Sequence, residues 1–206
     1  MKLYYYPGAC SLADHIVLEW TGAPYQLVRM SRDSVKSPDY LALNPVGAVP
    51  LLKHNDFLLT ENVAILVYLA ELHPQARLLG DGTPRGRAEV LRWLAFLNSD
   101  VHGAFKPIFS PMKFLPDETL SEQIAAAARV RAREFFERLD AQLEGRDWLT
   151  GARSIADPYL FVVARWAVDK GVDLRGLGNL PRFIDRMYTD SGVRAALEME
   201  EGLAAA

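Results

Sequence analysis

The chain has 206 residues, of which 50% are hydrophobic and 24% charged, as in an ordinary globular protein that can bury a core. Its 23 basic and 26 acidic residues give a net charge of −3, which offers no case for nucleic acid as a partner. No apolar run has the length of a signal peptide or a membrane span, and one cysteine forbids an internal disulfide. We therefore expect a cytoplasmic protein with no membrane partner.

The first third of the chain alternates between strand-like and helix-like segments. Residues 2–6 and 25–30 are short and rich in aromatic or branched side chains, which predicts strands. The apolar periodicity between them predicts a helix that ends at Gly22. Residues 49–60 predict a hairpin and residues 61–72 a second helix. The predicted order is therefore β-α-β followed by β-β-α.

A segment rich in proline and glycine separates this part from the rest. Thr60 is a candidate N-cap of the helix over 61–72, and Pro74 ends that helix. Residues 73–86 have little hydrophobic periodicity, which is typical of a linker between domains.

Everything after this segment has helical periodicity. Apolar residues at intervals of three and four over 90–105 predict one long amphipathic helix, and a second helix covers about 118–143. A third begins at Ser154 and Asp157, which match a capping box, and Gly171 ends it. This third helix is apolar almost all round, which predicts burial at the centre of the helical part.

Cys10, the only cysteine, lies after a Pro-Gly turn between the first predicted strand and the first predicted helix. It has two interpretations. A free cysteine is most often a small, buried apolar residue. Alternatively, a thiol at a helix N-terminus lies near unpaired N–H groups and the positive end of the dipole, which favour the reactive thiolate. Position alone favours the first.

Several separated motifs occur in an order typical of one family. Three of them are NPVGAVP at 44–50, LTENVAILVYLAE at 59–71 and SIADPYLFVVARWA at 154–167. With the order of elements, they make the chain resemble the cytosolic glutathione transferases. Three others resemble the bacterial beta class in particular, namely YYYPGACSLADHI at 4–16, SDVHGAF at 99–105 and VRAALEMEEGL at 193–203.

The resemblance implies a fold of two domains. Residues 1–77 would form a thioredoxin-like glutathione-binding domain with a mixed sheet, and 78–84 a linker. Residues 85–206 would form an all-helical domain that contributes the pocket for a small apolar electrophile. The resemblance also implies a homodimer, the usual assembly of the family.

The resemblance further implies a site for glutathione as co-substrate, without a metal. Cys10 matches the beta-class cysteine, which lies beside the glutathione sulfur and can form a mixed disulfide with it. Its pKa should then fall below the usual value of about 8.5. Val49-Pro50 matches a cis bond that turns the Val49 backbone towards the glutathione cysteine. Glu61 and Asn62 match the pair that holds the γ-glutamyl end at a helix N-terminus.

The helical domain would add a second catalytic residue. His102 matches the beta-class histidine that reaches over the glutathione site, and Ser99, three residues earlier, would share its face. The acid equivalent to Asp100 faces the partner subunit's glutathione. In place of the family's lysine for the glycine carboxylate stands Val35, so Lys36, or else Arg32, is the candidate for that role.

These residues leave three functions open. The first is conjugation of the glutathione thiolate to apolar electrophiles. The second is a glutathione-dependent thiol-disulfide oxidoreductase, in which Cys10 would attack by a monothiol route. The third is a non-catalytic regulatory module of the same fold, although such a module has no need of a complete ligand site.

Overall fold

The structure is a computed structural model that describes residues 1–202. Leu203, which ends the VRAALEMEEGL motif, and the remaining residues to 206, the predicted end of the helical domain, lie outside the described residues.

The N-terminal part is built on a mixed sheet of four strands in the order β2-β1-β3-β4. β1 pairs with β2 in parallel, while β3 pairs with β1 and β4 in antiparallel register. The strands are β1 (Lys2–Tyr5), β2 (Gln26–Arg29), β3 (Leu51–His54) and β4 (Phe57–Thr60). The expected β-α-β, β-β-α arrangement and its mixed sheet are confirmed.

Three helices accompany the sheet, namely α1 (Ser11–Thr21), α2 (Pro38–Leu43) and α3 (Asn62–Leu72). α1 ends at Gly22, whose φ of 67° confirms the predicted left-handed C-cap. α2 was not predicted, because six residues are too few to show a helical period. Its N-cap, Ser37, accepts a hydrogen bond from the Tyr40 N–H at 3.3 Å.

The connection between α3 and α4 (Pro84–Phe96) falls within the proline- and glycine-rich segment over 73–86 and includes a short 3₁₀ turn at Pro74–Ala76. The N-cap of α4 is Thr83, whose hydroxyl accepts from the Gly86 N–H at 3.0 Å. The connection is tied to the helical part, because the Ile155 N–H donates to the Leu78 carbonyl at 3.0 Å.

The long helix predicted over 90–105 is present as a continuous helical stretch, but it is not regular throughout. α4 passes into a π-helical turn at Leu97–Val101, which leads into α5 (His102–Phe109). Hydrophobic spacing cannot distinguish a single wide turn from a regular one, because the flanking apolar residues keep their three- and four-residue intervals. Such turns occur frequently at functional sites, and this one lies immediately before His102.

The remaining helices complete the second part: α6 (Ser121–Gln142), α7 (Ala156–Asp169), α8 (Asn179–Thr189) and α9 (Ser191–Gly202). α7 is the predicted central helix and is buried over most of its length. The Ser154 N–H donates to the Asp157 carboxylate at 2.7 Å, as the capping box requires. Among residues 1–202, no helix is long and apolar enough to cross a membrane.

One hydrophobic core continues from the sheet into the helical part. It includes Leu3 and Leu12 on one side and Tyr159 and Phe161 on the other, all fully buried. α1 packs against α3 within its own part and against α7 and α9 of the second part. The N-terminus of α1 therefore has a fixed position relative to both.

Candidate functional site

A cavity of about 170 Å³ lies where the two parts of the chain meet. It brings together six of the predicted site residues, which come from distant positions: Cys10, Val49, Pro50, Glu61, Asn62 and His102. Five further residues line it, and sequence reasoning had not placed them in the site: Asn44, Val46, Ala48, Thr60 and Asn98.

Cys10 precedes the first residue of α1, so its thiol lies at the helix N-terminus as expected. The expected fall in the pKa of Cys10 is wrong, because its surroundings raise that pKa instead. Burial, and after it the nearby Asp14 carboxyl, raise the pKa of the Cys10 thiol to about 12, although backbone N–H groups act in the opposite direction. The cysteine is therefore a protonated thiol near neutral pH.

Asp14 is a fully buried acid that sequence reasoning missed. Burial raises its pKa well above the usual value for an aspartate. The Asn62 amide, oriented with its nitrogen towards the two oxygens, donates to Asp14 Oδ2 at 2.9 Å and to the Cys10 carbonyl at 3.0 Å. An acid inside the apolar run of α1, four residues after Cys10, was the available signal.

The segment before β3 forms another wall, and the Val49-Pro50 bond is cis, as the resemblance implied. Asn44 shapes this segment: its side chain donates to the Ala48 carbonyl at 2.8 Å and accepts from the Val46 N–H at 3.2 Å. β3 begins only at Leu51. The Val49 backbone therefore lies just outside the sheet ladder.

Glu61 joins β4 to α3 in an unusual backbone conformation. Its φ of 70° is rare for a residue with a side chain, and such strain is concentrated at functional sites. Glu61 itself occupies the N-cap position of α3 and caps no N–H group with its side chain, so the prediction of Thr60 as the cap was wrong. The exposed Glu61 carboxylate therefore lies at the N-terminus of α3 without being used there as a cap.

His102 lines the cavity from the helical part. Its Nδ1 lies 2.8 Å from the Tyr159 hydroxyl, and that hydroxyl donates to Asn98 Oδ1 at 2.9 Å. The Trp166 ring packs edge-on against the imidazole at 4.9 Å. Burial, with a smaller contribution from Lys106, lowers the pKa of His102 to about 4, so the ring is neutral near pH 7.

Three predicted site residues do not line this cavity. The π-helical turn brings Asn98 to the cavity with His102, while Ser99 and Asp100 are exposed and contact each other at 2.6 Å. The Lys36 ammonium donates to the Gly47 and Val46 carbonyls at 3.1 and 3.4 Å. Lys36 therefore supports the loop that carries Val46, a residue of the cavity wall.

The turn that precedes Cys10 is held from both sides by the helical part. The Trp166 indole N–H donates to the Gly8 carbonyl at 2.8 Å, and the Gly8 N–H donates to the buried Glu200 at 3.1 Å. Trp166 belongs to α7 and Glu200 to α9. Two helices from the end of the described chain thus position a loop near its beginning.

A larger cavity of about 430 Å³ lies next to this turn. Trp166 and Gly8 line this larger cavity. They also lie beside the first cavity, because the Trp166 ring packs against His102 and Gly8 precedes Cys10 by two residues. The larger cavity is mostly apolar, with one arginine and one aspartate: its lining is Gly8, Leu12, Val162, Arg165, Trp166, Val168, Asp169, Ile184 and Tyr188. The 105–116 segment does not line it, but Phe105 and Phe109 pack against the Trp166 ring at 5.6 and 5.2 Å.

Within residues 1–202, no group of three or more histidine, cysteine, aspartate or glutamate side chains is arranged to hold a metal ion.

Comparisons with known proteins find the same family over nearly the whole length of the chain. Residues 1–71 match the family model for the N-terminal domain of glutathione S-transferase. The chain is 51% identical over 201 residues to glutathione S-transferase GST-4.5 of Xanthomonas campestris pv. campestris, covering 97% of this chain and 98% of that relative.

Two solved structures are similar in fold and sequence. One is a sphingomonad glutathione S-transferase complexed with glutathione, with a TM-score of 0.86 and 37% identity over 98% of this chain and 99% of that one. The other is a bacterial beta class glutathione S-transferase of Sphingomonas chungbukensis, with a TM-score of 0.85 and 37% identity over 97% and 98%.

Proposed function

Since this chain belongs to the glutathione S-transferase family, we propose that it is an enzyme that joins the glutathione thiolate to small apolar electrophiles. The resemblance to this family, with beta-class structures among its relatives, is confirmed. The observation that carries the proposal is the single cavity in which Cys10, Val49, Glu61 and His102 meet.

Each part of glutathione has a suitable partner in this cavity. The γ-glutamyl carboxylate would lie at the N-terminus of α3, and the Glu61 carboxylate would bind its ammonium group. The Val49 backbone, outside the ladder of β3, would pair with the cysteine of glutathione. Lys36 supports the adjacent loop and would reach the glycine carboxylate only by leaving the carbonyls it now contacts.

The sulfur of glutathione would lie between Cys10 and His102. There the N–H groups at the start of α1 would stabilise its negative charge. The Cys10 thiol stays protonated, so we assign it a place beside the glutathione sulfur. It would form a mixed disulfide only slowly, by exchange with oxidised glutathione, which releases one glutathione thiolate as the new S–S bond forms. A protonated Cys10 favours conjugation over the thiol-disulfide oxidoreductase activity, which needs Cys10 as the attacking thiolate.

The electrophile would enter the larger cavity beside Gly8 and Trp166. Its apolar walls suit an aromatic or aliphatic acceptor, and its volume suits a small molecule. The loop after Tyr6 contributes Gly8 to this lining, and helices α1, α7 and α8 contribute the other residues.

We further propose that the protein is a cytoplasmic homodimer of chains with the two domains expected at 1–77 and 85–206. The exposure of Ser99 and Asp100 supports a role at the partner subunit's glutathione, since neither faces the cavity of its own chain.

The test compares two substrates in the wild type, in two site variants and in one control variant. We expect turnover of a chlorinated aromatic electrophile to fall about ten- to a thousandfold in His102→Ala, and much less in Cys10→Ala. The control is His54→Ala, which removes a histidine of β3 that lies outside the cavity. Turnover of a glutathione mixed disulfide that exceeds conjugation and disappears in Cys10→Ala would favour the oxidoreductase instead. Absence of both activities and of glutathione binding would favour the regulatory module.

A further inference from the structure

The hydroxyl of Tyr159 lies between two polar groups of the site. It is 2.9 Å from Asn98 Oδ1 and 2.8 Å from His102 Nδ1. Tyr159 is fully buried on α7, and burial raises the pKa of its hydroxyl far above the usual value. The hydroxyl therefore keeps its hydrogen throughout the physiological range and has one hydrogen to donate.

The number of donors determines the direction of both hydrogen bonds. An amide oxygen can only accept, whereas a neutral imidazole nitrogen can donate or accept, depending on its tautomer. If the Tyr159 hydrogen pointed to His102 Nδ1, Asn98 Oδ1 would lie against an oxygen without a hydrogen between them. Both contacts are hydrogen bonds only when Tyr159 donates to Asn98 and His102 Nδ1–H donates to Tyr159.

From this geometry we infer that Tyr159 and Asn98 are positioning residues that hold His102 as the Nδ1–H tautomer, with Nε2 as the acceptor for the glutathione thiol. The inference deepens the proposed function and rests on it for the identity of the thiol. Nε2 has no hydrogen-bond partner among the described residues, so it is the ring nitrogen available to a ligand.

Asn98 belongs to the wide turn before α5, and His102 directly follows that turn. Asn98 and His102 both line the cavity and both contact the same hydroxyl. A π-helical turn holds more residues than a turn of regular α-helix, so residues four apart remain closer to one face. Ser99, which has the regular three-residue spacing from His102, points away instead.

The chemistry that follows is one proton transfer. The S–H bond of glutathione breaks, its proton forms a bond with His102 Nε2, and the electron pair stays on sulfur as the thiolate. The resulting imidazolium donates from Nδ1 to Tyr159 and from Nε2 to the sulfur. The charge on the sulfur favours the imidazolium in this otherwise unfavourable, buried place. After the sulfur bonds to the electrophile, the proton leaves Nε2 for solvent.

The tautomer can be measured directly, without substrate, by nitrogen NMR of protein labelled with ¹⁵N-histidine. In the wild type at pH 7 we expect His102 to show a protonated Nδ1 and an unprotonated Nε2, and Tyr159→Phe should shift it towards a mixture of tautomers. The matched control is Tyr68→Phe, because Tyr68 contacts His54 Nδ1 at 2.9 Å in the same way. That control should change the His54 signal alone.

Kinetics give a second readout. Tyr159→Phe should lower kcat about ten- to a hundredfold and leave the KM for glutathione within twofold, while Tyr68→Phe leaves both unchanged. Asn98→Ala, at an exposed position, should shift the His102 tautomer in the same direction, which keeps the test available if Tyr159→Phe does not fold.

A wild-type His102 with a protonated Nε2 would overturn the inference, because Tyr159 would then be the donor to the imidazole. Unchanged His102 signals in both variants would overturn it as well. Neither result depends on conjugation, so the proposed function can fail or succeed separately in the substrate comparison.

Discussion

Cys10 has the position of a reactive cysteine but not its ionisation. Its place before α1 gives it backbone N–H groups that lower its pKa, yet burial and the Asp14 carboxyl raise that pKa more. Sequence alone shows the helix start and cannot show how much solvent reaches the sulfur. The residue therefore contributes a neutral thiol to the site, and the negative charge of the reaction belongs to glutathione.

We expect the alkylation rate of Cys10 by iodoacetamide to rise about tenfold per pH unit from pH 7 to beyond pH 9, because only the thiolate reacts. The alkylation rate of the folded protein should show no plateau in this range. The rate of the unfolded chain should begin to level off near pH 8.5–9, where its thiol ionises. Mass spectrometry of the native and the denatured protein gives both rates, and Cys10→Ala provides the blank. A native plateau near neutral pH would show an activated cysteine.

His102 should make folding stability depend on pH. Its pKa is about 4 in the folded protein and about 6.5 in an unfolded chain. Between these values the unfolded chain binds a proton that the folded protein does not, so stability is lost as pH falls from 6.5 to 4. The full difference is at most ~3 kcal/mol, and it should be absent in His102→Gln.

Urea unfolding of both proteins between pH 4 and 7.5 measures this difference. The comparison is needed because Asp157 has a pKa raised to about 6 by burial, which makes the folded protein more stable as pH falls through the same range. Asp157 is present in both proteins, so its contribution cancels in the difference between their stabilities. Parallel stability curves for wild type and His102→Gln would refute the expected contribution.

At the scale of elements, the sequence predicted those whose period extends over several turns. The four strands, α1, α3 and the central helix α7 lie where aromatic runs, Gly22 and the Ser154–Asp157 box indicated. The π-helical turn and the short α2 escaped detection, because each depends on local hydrogen bonds that leave the apolar spacing unchanged. This limit affected the site directly, since it assigned Ser99 rather than Asn98 to the face of His102.

Gly47, in the loop over 44–50, has both a positive φ and close neighbours at the position of a Cβ. Comparing its replacement with that of Gly22 separates backbone strain from steric contact. Gly47 has a φ of 62°, and a Cβ there would lie 2.7 Å from the Val35 carbonyl oxygen and 2.8 Å from Lys36 Nζ. Gly22 has a similar φ of 67° but nothing within 4 Å of its Cβ position. Gly22→Ala should therefore cost ~1 kcal/mol from the backbone alone, and Gly47→Ala ~1–3 kcal/mol more from the contact.

Thermal and urea unfolding measure both costs, and glutathione affinity adds a functional readout. Gly47→Ala should weaken glutathione binding, because a displaced Lys36 no longer supports the loop that carries Val46 and Val49. Gly22→Ala should leave affinity unchanged. Equal stability losses in the two variants would mean that the loop yields to the added methyl group.

At the scale of the whole molecule, motif order predicted more than any single motif. The cis Val49-Pro50 bond and the meeting of Cys10 with His102 follow from the family resemblance and could not have been derived from spacing. The buried partners Asp14 and Tyr159 were missed for a physical reason. Their roles arise from the packing of distant helices, so the same residue types would be unremarkable on an isolated helix.

We expect the protein to sediment as a homodimer of about twice the 23.0 kDa chain mass at micromolar concentration. Phe57, 46% exposed at the start of β4, is an apolar residue that such an interface would cover. Phe57→Ser should shift the equilibrium towards the monomer, and Phe114→Ser, which alters a phenylalanine elsewhere that is 55% exposed, should not. A single 23 kDa species in the wild type would contradict the proposed assembly.

The two hydrogen bonds of Gly8 also set an order of events in folding. Gly8 and Glu200 are 192 residues apart in sequence, and contacts of such separation form late, because a long loop must close first. The sheet can pair early, since its strands all lie within the first sixty residues. Refolding should therefore restore secondary structure before glutathione protects the Cys10 thiol from alkylation. Ligand binding is then the last property that the chain acquires, and the first that it loses when α9 detaches.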